Sequence, residues 1–440
     1  MKIHFIGIGG IGVSALARYY LAKGNQVSGS DLAPSEITDA LKKIGAKIFI
    51  GLHSAENLED NIDIVVYSPA VQPDNPEMIK AKKRGIKIQS YPEALGELTK
   101  QYFTIAVSGA HGKSTTTAMI ALVLEKAGLD PTVIVGTKLK EFGNSNCRVG
   151  EGEYLVIEAD EWNASFLNYW PKIIVLTNIE REHLDYYRDL DHILKTFGEY
   201  VGHLPMDGAL IANEDDQNIS KVKNSSKLKI QNYSIKQNEA QELRKILKVP
   251  GQHNIYNALA TLAVARELGI SDEVSFEALS KYQGAWRRFE VSEKEINGKK
   301  ITIVNDYGHH PTEVLATLKA GREKFPDKKI WCVFQPHQYQ RTFFLFNDFV
   351  RVFSEALKKT GTKAILDNLI LTDIYDVAGR EREDVKKKVN SKMLCDKITL
   401  PSAIYLPRGD IVNHLKNNLV VGDVLIIMGA GSIYDLQKEL

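Results

Sequence analysis

The sequence predicts an α/β protein with three successive domains, each built on a largely parallel sheet covered by helices. Apolar stretches of strand length alternate with helix-patterned stretches along all 440 residues, and this alternation is typical of parallel sheets. Two glycine-rich turns each follow a predicted strand and precede a predicted helix, an order that places both turns at strand ends. The length itself allows about two to four domains.

The strand candidates fall into three series along the chain. A helical pattern over 12–24 follows the first strand, an Ala- and Leu-rich helix is predicted within 248–269, and the charged run 378–398 predicts a solvated loop and helix face. The strand candidates are 2–8, 26–31, 62–70 and 86–90 in the first series, 102–108, 153–160, 172–179 and 208–213 in the second, and 300–306, 329–337, 363–371, 402–407 and 423–432 in the third.

Composition and charge exclude several classes of protein. The 56 basic and 55 acidic residues give a net charge of +1, which argues against a broad nucleic-acid or membrane-surface footprint. No apolar run approaches the roughly 18 residues that span a bilayer, and the first residues lack the pattern of a signal peptide. Cys147, Cys332 and Cys395 form no CxxC pair, so a cysteine metal site is not expected. We expect a cytoplasmic protein without nucleic-acid partners or membrane insertion.

The first glycine turn has the order G-x-G-x-x-G. Gly7, Gly9 and Gly12 follow the first strand and open a helix, and Asp31 lies 19 residues past Gly12 at the end of the second strand. This is the dinucleotide fingerprint of a Rossmann-like domain. A glycine turn at a helix N-terminus nevertheless suits any nucleotide diphosphate, so NAD, a UDP-sugar and a purely structural turn all remain open.

The second glycine turn resembles a phosphate-binding P-loop. It reads Gly109-x-x-Gly112-Lys113-Ser114, with Val107 where the common pattern has its first glycine. In such a loop the lysine reaches the β- and γ-phosphates and the hydroxyl holds Mg²⁺. A Gly-Lys-Ser sequence can also be a simple helix cap, but the strand before it and the helix after it favour a nucleotide site. Two such turns predict two phosphate-bearing ligands.

Acidic and histidine side chains cluster after two strands of the second series. Ligands gather at the carboxyl ends of parallel strands, but Mg²⁺ takes only one or two protein carboxylates. Most of these acids are therefore expected to be caps or surface charges. The clustered residues are Glu158, Asp160, Glu161, Asn178, Glu180, Glu182, His183 and Asp185.

With these motifs in place, the chain resembles the Mur ligases, the ATP-dependent amide-bond ligases of peptidoglycan precursor synthesis. The resemblance covers nearly the whole length and rests on GAHGKSTTT at 109–117, EADE at 158–161, TNIEREH at 177–183, GQHNIYNALA at 251–260 and RRFE at 287–290. It implies a Rossmann-like N-terminal domain over 1–100 that binds UDP-N-acetylmuramate. A central P-loop ATPase-like domain over 101–282 would bind ATP, and a C-terminal Rossmann-like domain over 283–440 would bind the amino acid.

Four stretches favour the branch of the family that joins L-alanine to UDP-N-acetylmuramate through an acyl phosphate. They are GSD at 29–31, NDYGHHPTE at 305–313, FQPHQYQRT at 334–342 and GAGSI at 429–433. That branch usually has arginine where Gln338 stands and aspartate where Asn305 stands. A ligase with another amino-acid or peptide acceptor, including one that recycles murein tripeptide, is the alternative. Either way the resemblance implies a role in cell-wall biogenesis, and so in cell shape, the cell cycle and cell division.

The resemblance also implies site residues, in a chain that acts as a monomer or homodimer with ATP and Mg²⁺. Asn254 and Asn257 could instead be a helix cap and a buried amide, and His309 with His310 could be a packed loop. The expected residues are Gly7, Gly9, Gly12, Asp31 and Ser68 for the UDP-sugar; Gly109, Gly112, Lys113, Ser114, Thr115, Asn254, Asn257 and Arg288 for ATP; Asp306, Tyr307, His309, His337 and Arg341 for the amino acid and transferred phosphate; and Ser114, Glu161 and His183 for Mg²⁺. Among them Lys113, Glu161, His183, His309 and Arg341 are expected to be catalytic.

Two interpretations from other classes stay open at this point. The first is an NAD-dependent dehydrogenase or sensor with an accessory ATP site, which depends on the first glycine turn and Asp31. The second is a nucleotide-binding scaffold without catalysis, which the set of Lys113, Ser114, Glu161 and His183 disfavours.

Overall fold

The structure is a computed structural model that describes residues 1–223, 228–359, 363–377 and 381–440. Two compact units are recognised from internal packing. The first contains residues 1–180, 193–246 and 256–282, and the second contains residues 181–192, 247–255 and 283–440. Two of the three sheets lie in the first unit and one lies in the second. Among the described residues, no helix combines the length and the apolar character needed to cross a membrane.

The N-terminal sheet has five parallel strands in the order β3-β2-β1-β4-β5. The strand order reverses at β1, and ligands of open α/β sheets bind at such a switch point. The sheet is therefore Rossmann-like, as predicted. Its strands are β1 Lys2–Ile6, β2 Gln26–Asp31, β3 Lys47–Ile50, β4 Ile64–Tyr67 and β5 Lys87–Ser90, and its helices are α1 Ile11–Ala22, α2 Glu36–Lys43, α3 Pro76–Lys83 and α4 Tyr91–Thr99.

The chain from 103 to 281 contains a seven-stranded sheet in the order β12-β11-β10-β6-β9-β7-β8. Its pairs are parallel except β7 with β8, and β6, which leads into the P-loop, lies between β10 and β9. The strands are β6 Phe103–Ser108, β7 Thr132–Leu139, β8 Ser145–Arg148, β9 Tyr154–Glu158, β10 Ile173–Leu176, β11 Ala209–Asn213 and β12 Lys229–Tyr233. The helices are α5 Lys113–Lys126, α6 Leu190–Val201, α7 Gln217–Val222, α8 Glu239–Ile246, α9 Gln252–Glu267 and α10 Asp272–Lys281.

The third sheet has six strands in the order β13-β14-β18-β15-β16-β17. Only the edge pair β13 with β14 is antiparallel within this described sheet. The strands are β13 Glu290–Ile296, β14 Lys299–Asp306, β15 Ile330–Phe334, β16 Asn368–Leu371, β17 Ala403–Tyr405 and β18 Val424–Met428. The helices are α11 Pro311–Lys324, α12 Tyr339–Phe344, α13 Phe346–Leu357, α14 Glu383–Lys386, α15 Ser391–Ile398, α16 Ile411–Asn418 and α17 Leu436–Glu439. The α/β class predicted for all three domains is confirmed.

Strand β18 shows how the sequence builds this sheet between two helical layers. Val424, Ile426 and Met428 pack in one apolar cluster, whereas Leu425 and Ile427 pack in another. Successive side chains of a strand point to opposite faces, so a continuous apolar run is what a strand covered on both faces requires. The predicted charged segment 378–398 contains α14 and α15, and its first three residues lie outside the described part of the chain.

Candidate active site

The first glycine turn closes onto the end of β2. The backbone N–H groups of Gly7 and Ile8 donate to the carbonyl oxygen of Ser30 at 2.9 and 3.0 Å. The N–H of Gly9 donates to a carboxylate oxygen of Asp31 at 2.8 Å. A Cβ atom on Gly9 would lie 2.8 Å from that same oxygen, so the turn requires glycine at this position.

The N-terminus of α1 behind this turn has no side-chain cap. Its N-cap residue is Gly10, and its first turn contains no acidic residue. The first N–H groups of a helix lack partners within the helix and attract anions. Ser68 flanks the turn, because a Cβ atom on Gly7 would lie 3.0 Å from the Ser68 Cβ. The structure thus gathers four predicted residues, Gly7, Gly9, Asp31 and Ser68, around a helix end suited to a diphosphate.

The second glycine turn is fixed by two residues at the end of β10. The backbone N–H of His111 donates to Asn178 at 2.8 Å, and the Thr177 hydroxyl donates to the carbonyl of His111 at 2.6 Å. Gly109 and Gly112 have φ angles of +134° and +84°, which side-chain-bearing residues rarely adopt. A Cβ on Gly112 would also lie 2.5 Å from the Asn257 amide oxygen.

Lys113 curls back into its own loop. Its ammonium lies 2.8 Å from the Glu161 carboxylate and donates to the carbonyl oxygens of Gly109 and Ala110 at 2.7 and 3.2 Å. Burial alone would lower the pKa of Lys113, but the surrounding carboxylates outweigh it and hold that pKa above its usual value. Burial raises the pKa of Glu161 to about 8, against the opposing attraction of the lysine.

Ser114 contacts a carboxylate that the sequence analysis left unassigned. Its hydroxyl donates to Glu158 at 3.0 Å, and the other Glu158 oxygen accepts from the backbone N–H of Gly136 at 2.8 Å. Thr115 is buried beside it on α5. Glu158 could have been selected from its place at the end of β9, but the sequence does not show which of its neighbouring acids faces Ser114.

Asn257 supports the P-loop from α9. Its amide oxygen accepts from the Thr116 hydroxyl at 3.2 Å, and it is buried. Asn254, which belongs to the second compact unit, donates its amide N–H to the carbonyl of Pro250 at 2.7 Å. Asn257 is thus a buried amide, as the alternative interpretation expected, whereas Asn254 lies inside α9 and donates a hydrogen bond instead of capping the helix. The predicted place of both residues beside adenine stays a prediction.

In the second unit, Arg341 forms a buried ion pair. Its Nε lies 2.9 Å from the Glu182 carboxylate, and both side chains are at most 7% exposed. One terminal nitrogen also donates to the carbonyl of His337 at 3.0 Å. Burial alone would raise the pKa of Glu182, but Arg341 and the nearby histidines hold it well below its usual range. The spacing of the motif gave no sign that Glu182 would pair with a residue 159 positions away.

Tyr307, His309 and His337 meet at the carboxyl ends of β14 and β15. The His309 Nδ1–H donates to the carbonyl of Tyr307 at 3.0 Å, and the His309 and His337 ring centroids are 5.9 Å apart. Burial lowers the pKa of His309 to about 4. At neutral pH this imidazole is therefore uncharged and presents Nε2 as an acceptor. His310 turns away and caps α11 by accepting from the N–H of Thr312 at 3.3 Å.

Asp306 and Arg288 shape the loop that carries Tyr307. The Asp306 carboxylate accepts from the N–H groups of Phe289 and Gly308, both at 2.8 Å. The Arg288 guanidinium lies 5.1 Å from the Tyr307 ring centroid. Sequence reasoning missed Arg287, which is buried, lies 4.9 Å from the same ring and donates to the carbonyl of Gly431 at 3.2 Å.

The three α/β sheets, the P-loop with its carboxylates and the first glycine turn together fit the class of ATP-dependent ligases. Comparison with family models supports this class over the whole chain. Residues 2–103 match the Mur ligase family catalytic domain, residues 107–265 the Mur ligase middle domain, and residues 287–431 the Mur ligase glutamate ligase domain. The chain belongs to the Mur ligase family, whose members form amide bonds at the expense of ATP. Family membership excludes both the dehydrogenase and the scaffold interpretations.

Curated relatives match at full length. A UDP-N-acetylmuramate–L-alanine ligase of Sulfurihydrogenibium sp. is 41% identical over 462 aligned residues, covering 100% of this chain and 97% of that protein. A protein of the same name from Syntrophus aciditrophicus is 43% identical, covering 100% of this chain and 92% of that protein.

Solved structures agree with this relationship. The UDP-N-acetylmuramate–alanine ligase of Thermotoga maritima matches with a TM-score of 0.79 and 27% identity, covering 100% of this chain and 98% of that chain. A murein peptide ligase of Psychrobacter arcticus matches with a TM-score of 0.73 at 24% identity, which shows a shared fold.

Proposed function

We propose that the protein joins L-alanine to UDP-N-acetylmuramate, with ATP converted to ADP and phosphate. One observation carries the proposal: a single compact unit contains both phosphate-binding turns. One is the first glycine turn, where the N-terminus of α1 has no side-chain cap, and the other is the P-loop, where Lys113 contacts a carboxylate. The names of the full-length relatives support the same activity. The reaction belongs to peptidoglycan precursor synthesis.

The P-loop turn is the proposed ATP phosphate site. The glycines allow the backbone to approach the phosphates, and the N-terminus of α5 points N–H groups at them. Lys113 would exchange its contact with Glu161 for the β- and γ-phosphate oxygens. The residues proposed for ATP are Gly109, Gly112, Lys113, Ser114, Thr115, Asn254, Asn257 and Arg288.

The oxygen atoms beside the P-loop fit a magnesium ion. Mg²⁺ prefers carboxylate and hydroxyl oxygens and is usually held by one or two protein carboxylates together with substrate phosphates. Ser114 and Glu161 are the proposed ligands, with Glu158 positioned to orient the Ser114 hydroxyl at 3.0 Å. A second Mg²⁺ is proposed near His183. A bound cation would neutralise charge on the phosphate oxygens.

The first glycine turn is the proposed site of the UDP-sugar. Gly7, Gly9 and Gly12 would face the diphosphate at the N-terminus of α1, with Asp31 and Ser68 beside it. The carboxylate of the sugar must reach the γ-phosphate, because a carboxylate is a poor electrophile until it becomes an acyl phosphate. Lys113 would stabilise the charge that develops on the transferred phosphoryl oxygens.

The residues at the strand ends of the third sheet would bind the amino acid. Arg341 offers a guanidinium fork for a carboxylate or phosphate, and Glu182 keeps that fork oriented. The neutral His309 offers Nε2 to the incoming amino group, which must lose a proton before it attacks the acyl phosphate. Asp306, Tyr307 and His337 complete this proposed site.

Gln338 is the reason to consider a second amino-acid acceptor. Its φ angle is +73°, it is only 3% exposed, and it lines a cavity of about 10 Å³ with Glu182 and Arg341. The family pattern has arginine at this position, so the acceptor site differs in charge next to Arg341. A Mur-type ligase for another amino acid or peptide is therefore the alternative.

The identity of the product tests the proposal. Purified protein would be incubated with Mg-ATP, UDP-N-acetylmuramate and an equimolar mixture of L-alanine, glycine, L-serine and L-Ala-γ-D-Glu-meso-diaminopimelate, and the products weighed by mass spectrometry. We expect UDP-N-acetylmuramoyl-L-alanine to dominate. A dominant product carrying another acceptor would replace L-alanine in the proposal and retain the ligase.

The site of action and the assembly complete the proposal. ATP and nucleotide-sugar precursors are cytoplasmic metabolites, so we place the reaction in the cytoplasm. The chain acts as a monomer or homodimer, and its partners are its substrates rather than nucleic acid or membrane.

A further inference from the structure

Tyr91 fills the space beside the third glycine of the first turn. It is the first residue of α4. A Cβ atom built on Gly12 would lie 2.8 Å from the Tyr91 Cζ and 3.0 Å from its hydroxyl oxygen. Gly12 is the second residue of α1, so the hydroxyl lies at the helix end where the first turn presents its N–H groups. The absence of a side chain at position 12 is explained by this ring.

Helix α4 holds the ring in place at three points. Ser90 and Glu93 form a capping box at its start, which fixes the backbone at Tyr91. A Cβ atom on Gly96 would meet the carbonyl oxygen of Asn168, so the helix lies directly against that backbone. Near its C-terminus, the Thr99 hydroxyl oxygen accepts from the N–H of Trp170 at 3.0 Å. The position of Tyr91 is thus fixed by α4, which packs against the backbone at Asn168 and Trp170.

The Tyr91 hydroxyl makes no hydrogen bond to any residue that the structure describes. Burial, reinforced by the negative charges of Glu158 and Asp160, raises the pKa of Tyr91 above its usual value. The phenol is therefore protonated at neutral pH and available as a donor. Those two carboxylates belong to the P-loop centre.

We propose that Tyr91 binds the sugar nucleotide by donating its hydroxyl proton to the diphosphate at the first glycine turn. The inference rests on the proposed function and adds a residue that the motif does not contain. A neutral donor suits this place, because an anion beside uncapped N–H groups gains a further hydrogen bond without a new charge in the site.

The test compares Tyr91→Phe with the unchanged chain by isothermal titration calorimetry, with UDP and UDP-N-acetylmuramate as probes. Phenylalanine keeps the ring against Gly12 and removes only the hydroxyl. Because a hydrogen bond to a charged group is lost, we expect the dissociation constant of both probes to rise by roughly tenfold or more. Affinity for Mg-ADP and the melting temperature should not change.

Tyr200→Phe is the matched control. Tyr200 is fully buried in the same unit, and its hydroxyl has no hydrogen-bond partner among the described residues. Its removal should leave binding of UDP and of UDP-N-acetylmuramate unchanged.

Three results would overturn the inference. They are equal UDP affinity of Tyr91→Phe and the unchanged chain, a loss confined to Mg-ADP, and no binding of UDP by the unchanged chain. Failure of the proposed function has a different signature. In that case UDP binding would still weaken in Tyr91→Phe, but no amide product would form from UDP-N-acetylmuramate and L-alanine.

Discussion

The ammonium of Lys113 lies 2.8 Å from the carboxylate of Glu161, on a lysine that also donates to its own loop carbonyls. The lysine that would receive phosphate is therefore held inside the loop by a buried carboxyl group and two backbone carbonyls. Phosphate binding would exchange these internal acceptors for the oxygens of the nucleotide.

The first prediction concerns that lysine. Lys113→Ala should lower ATP-dependent phosphate release by roughly 10²–10³-fold, because the transferred phosphoryl group loses its main positive neighbour. The fold should survive, since burial already raises the pKa of Glu161 to about 8 and the carboxyl can take up a proton. Lys126→Ala is the control at the other end of α5, where the side chain pairs with an exposed Glu277, and its activity should stay within about twofold. Full activity in Lys113→Ala would refute the P-loop assignment.

The second prediction separates backbone strain from the nucleotide site. Gly112→Ala and Gly128→Ala both place a side chain at positive φ, +84° and +77° respectively, which costs roughly 1–3 kcal/mol. Only at Gly112 does the new Cβ meet Asn257, whereas Gly128 faces open space. Calorimetry with Mg-ADP should show lost binding in Gly112→Ala alone. Equal ADP binding by both variants would show that position 112 does not contact the nucleotide.

The third prediction uses the ion pair of Arg341 with Glu182. Arg341→Met should destabilise the fold by about 3–5 kcal/mol, because it leaves a buried carboxylate without its partner. It should also raise the KM for L-alanine by roughly tenfold or more through loss of a charge-assisted contact. The double variant Arg341→Met/Glu182→Gln should regain much of the stability in urea titrations.

The double variant also distinguishes binding from folding. If Arg341 contacts the substrate, the KM for L-alanine stays high in the double variant although stability returns. If the KM returns together with stability, Arg341 acts only on the fold, and its assignment to the amino-acid site is wrong.

The fourth prediction concerns the pH dependence of stability in the N-terminal sheet. Burial alone would raise the pKa of Glu77, but hydrogen bonds from His4, Asn57 and Ser30 lower it to about 2 from 4.5. A depressed folded-state pKa gives stability that is present above pH 4.5 and is lost as the pH falls towards 2. This pKa shift corresponds to about 3 kcal/mol of folding stability at neutral pH. Roughly half of that stability is lost by pH 3.

Urea titrations of Glu77→Gln at pH 7 and pH 3 measure this effect. The unchanged chain should be more stable than the variant at pH 7, and the difference should shrink at pH 3. Glu97→Gln, at an exposed position paired with Lys100, should show little difference at either pH. A difference in stability between Glu77→Gln and the unchanged chain that stays constant from pH 7 to pH 3 would contradict the assigned charge on Glu77.

The strands that the sequence did not reveal are mostly edge strands or polar ones. Strand β13, with the sequence EVSEKEI, is exposed at most positions, because an antiparallel edge strand needs few apolar residues. Its hairpin was visible in another signal, the Asn297-Gly298 pair, both with positive φ, which is the preferred two-residue turn. Strands β3, β7, β8 and β12 were also absent from the predicted series.

The site was predictable where it is local and not where it is formed by distant residues. Gly109, Gly112, Lys113 and Ser114 lie within six residues of the chain, and their spacing alone indicates a phosphate loop. Two other features depend on how the strands are placed in a sheet. They are the choice of the Ser114 partner among three nearby acids and the pairing of Arg341 with Glu182. Tyr91 lies in no motif, and its contact with Gly12 exists only after α4 packs against α1.

Phosphate release with Mg-ATP, UDP-N-acetylmuramate and L-alanine, with each component omitted in turn, tests the central claim most directly. The account predicts release only when all three are present, and its loss when the magnesium is chelated. Release that ignores L-alanine would retain the ligase and assign it another acceptor, with Gln338 as the first residue to exchange. Release that ignores UDP-N-acetylmuramate would contradict the account.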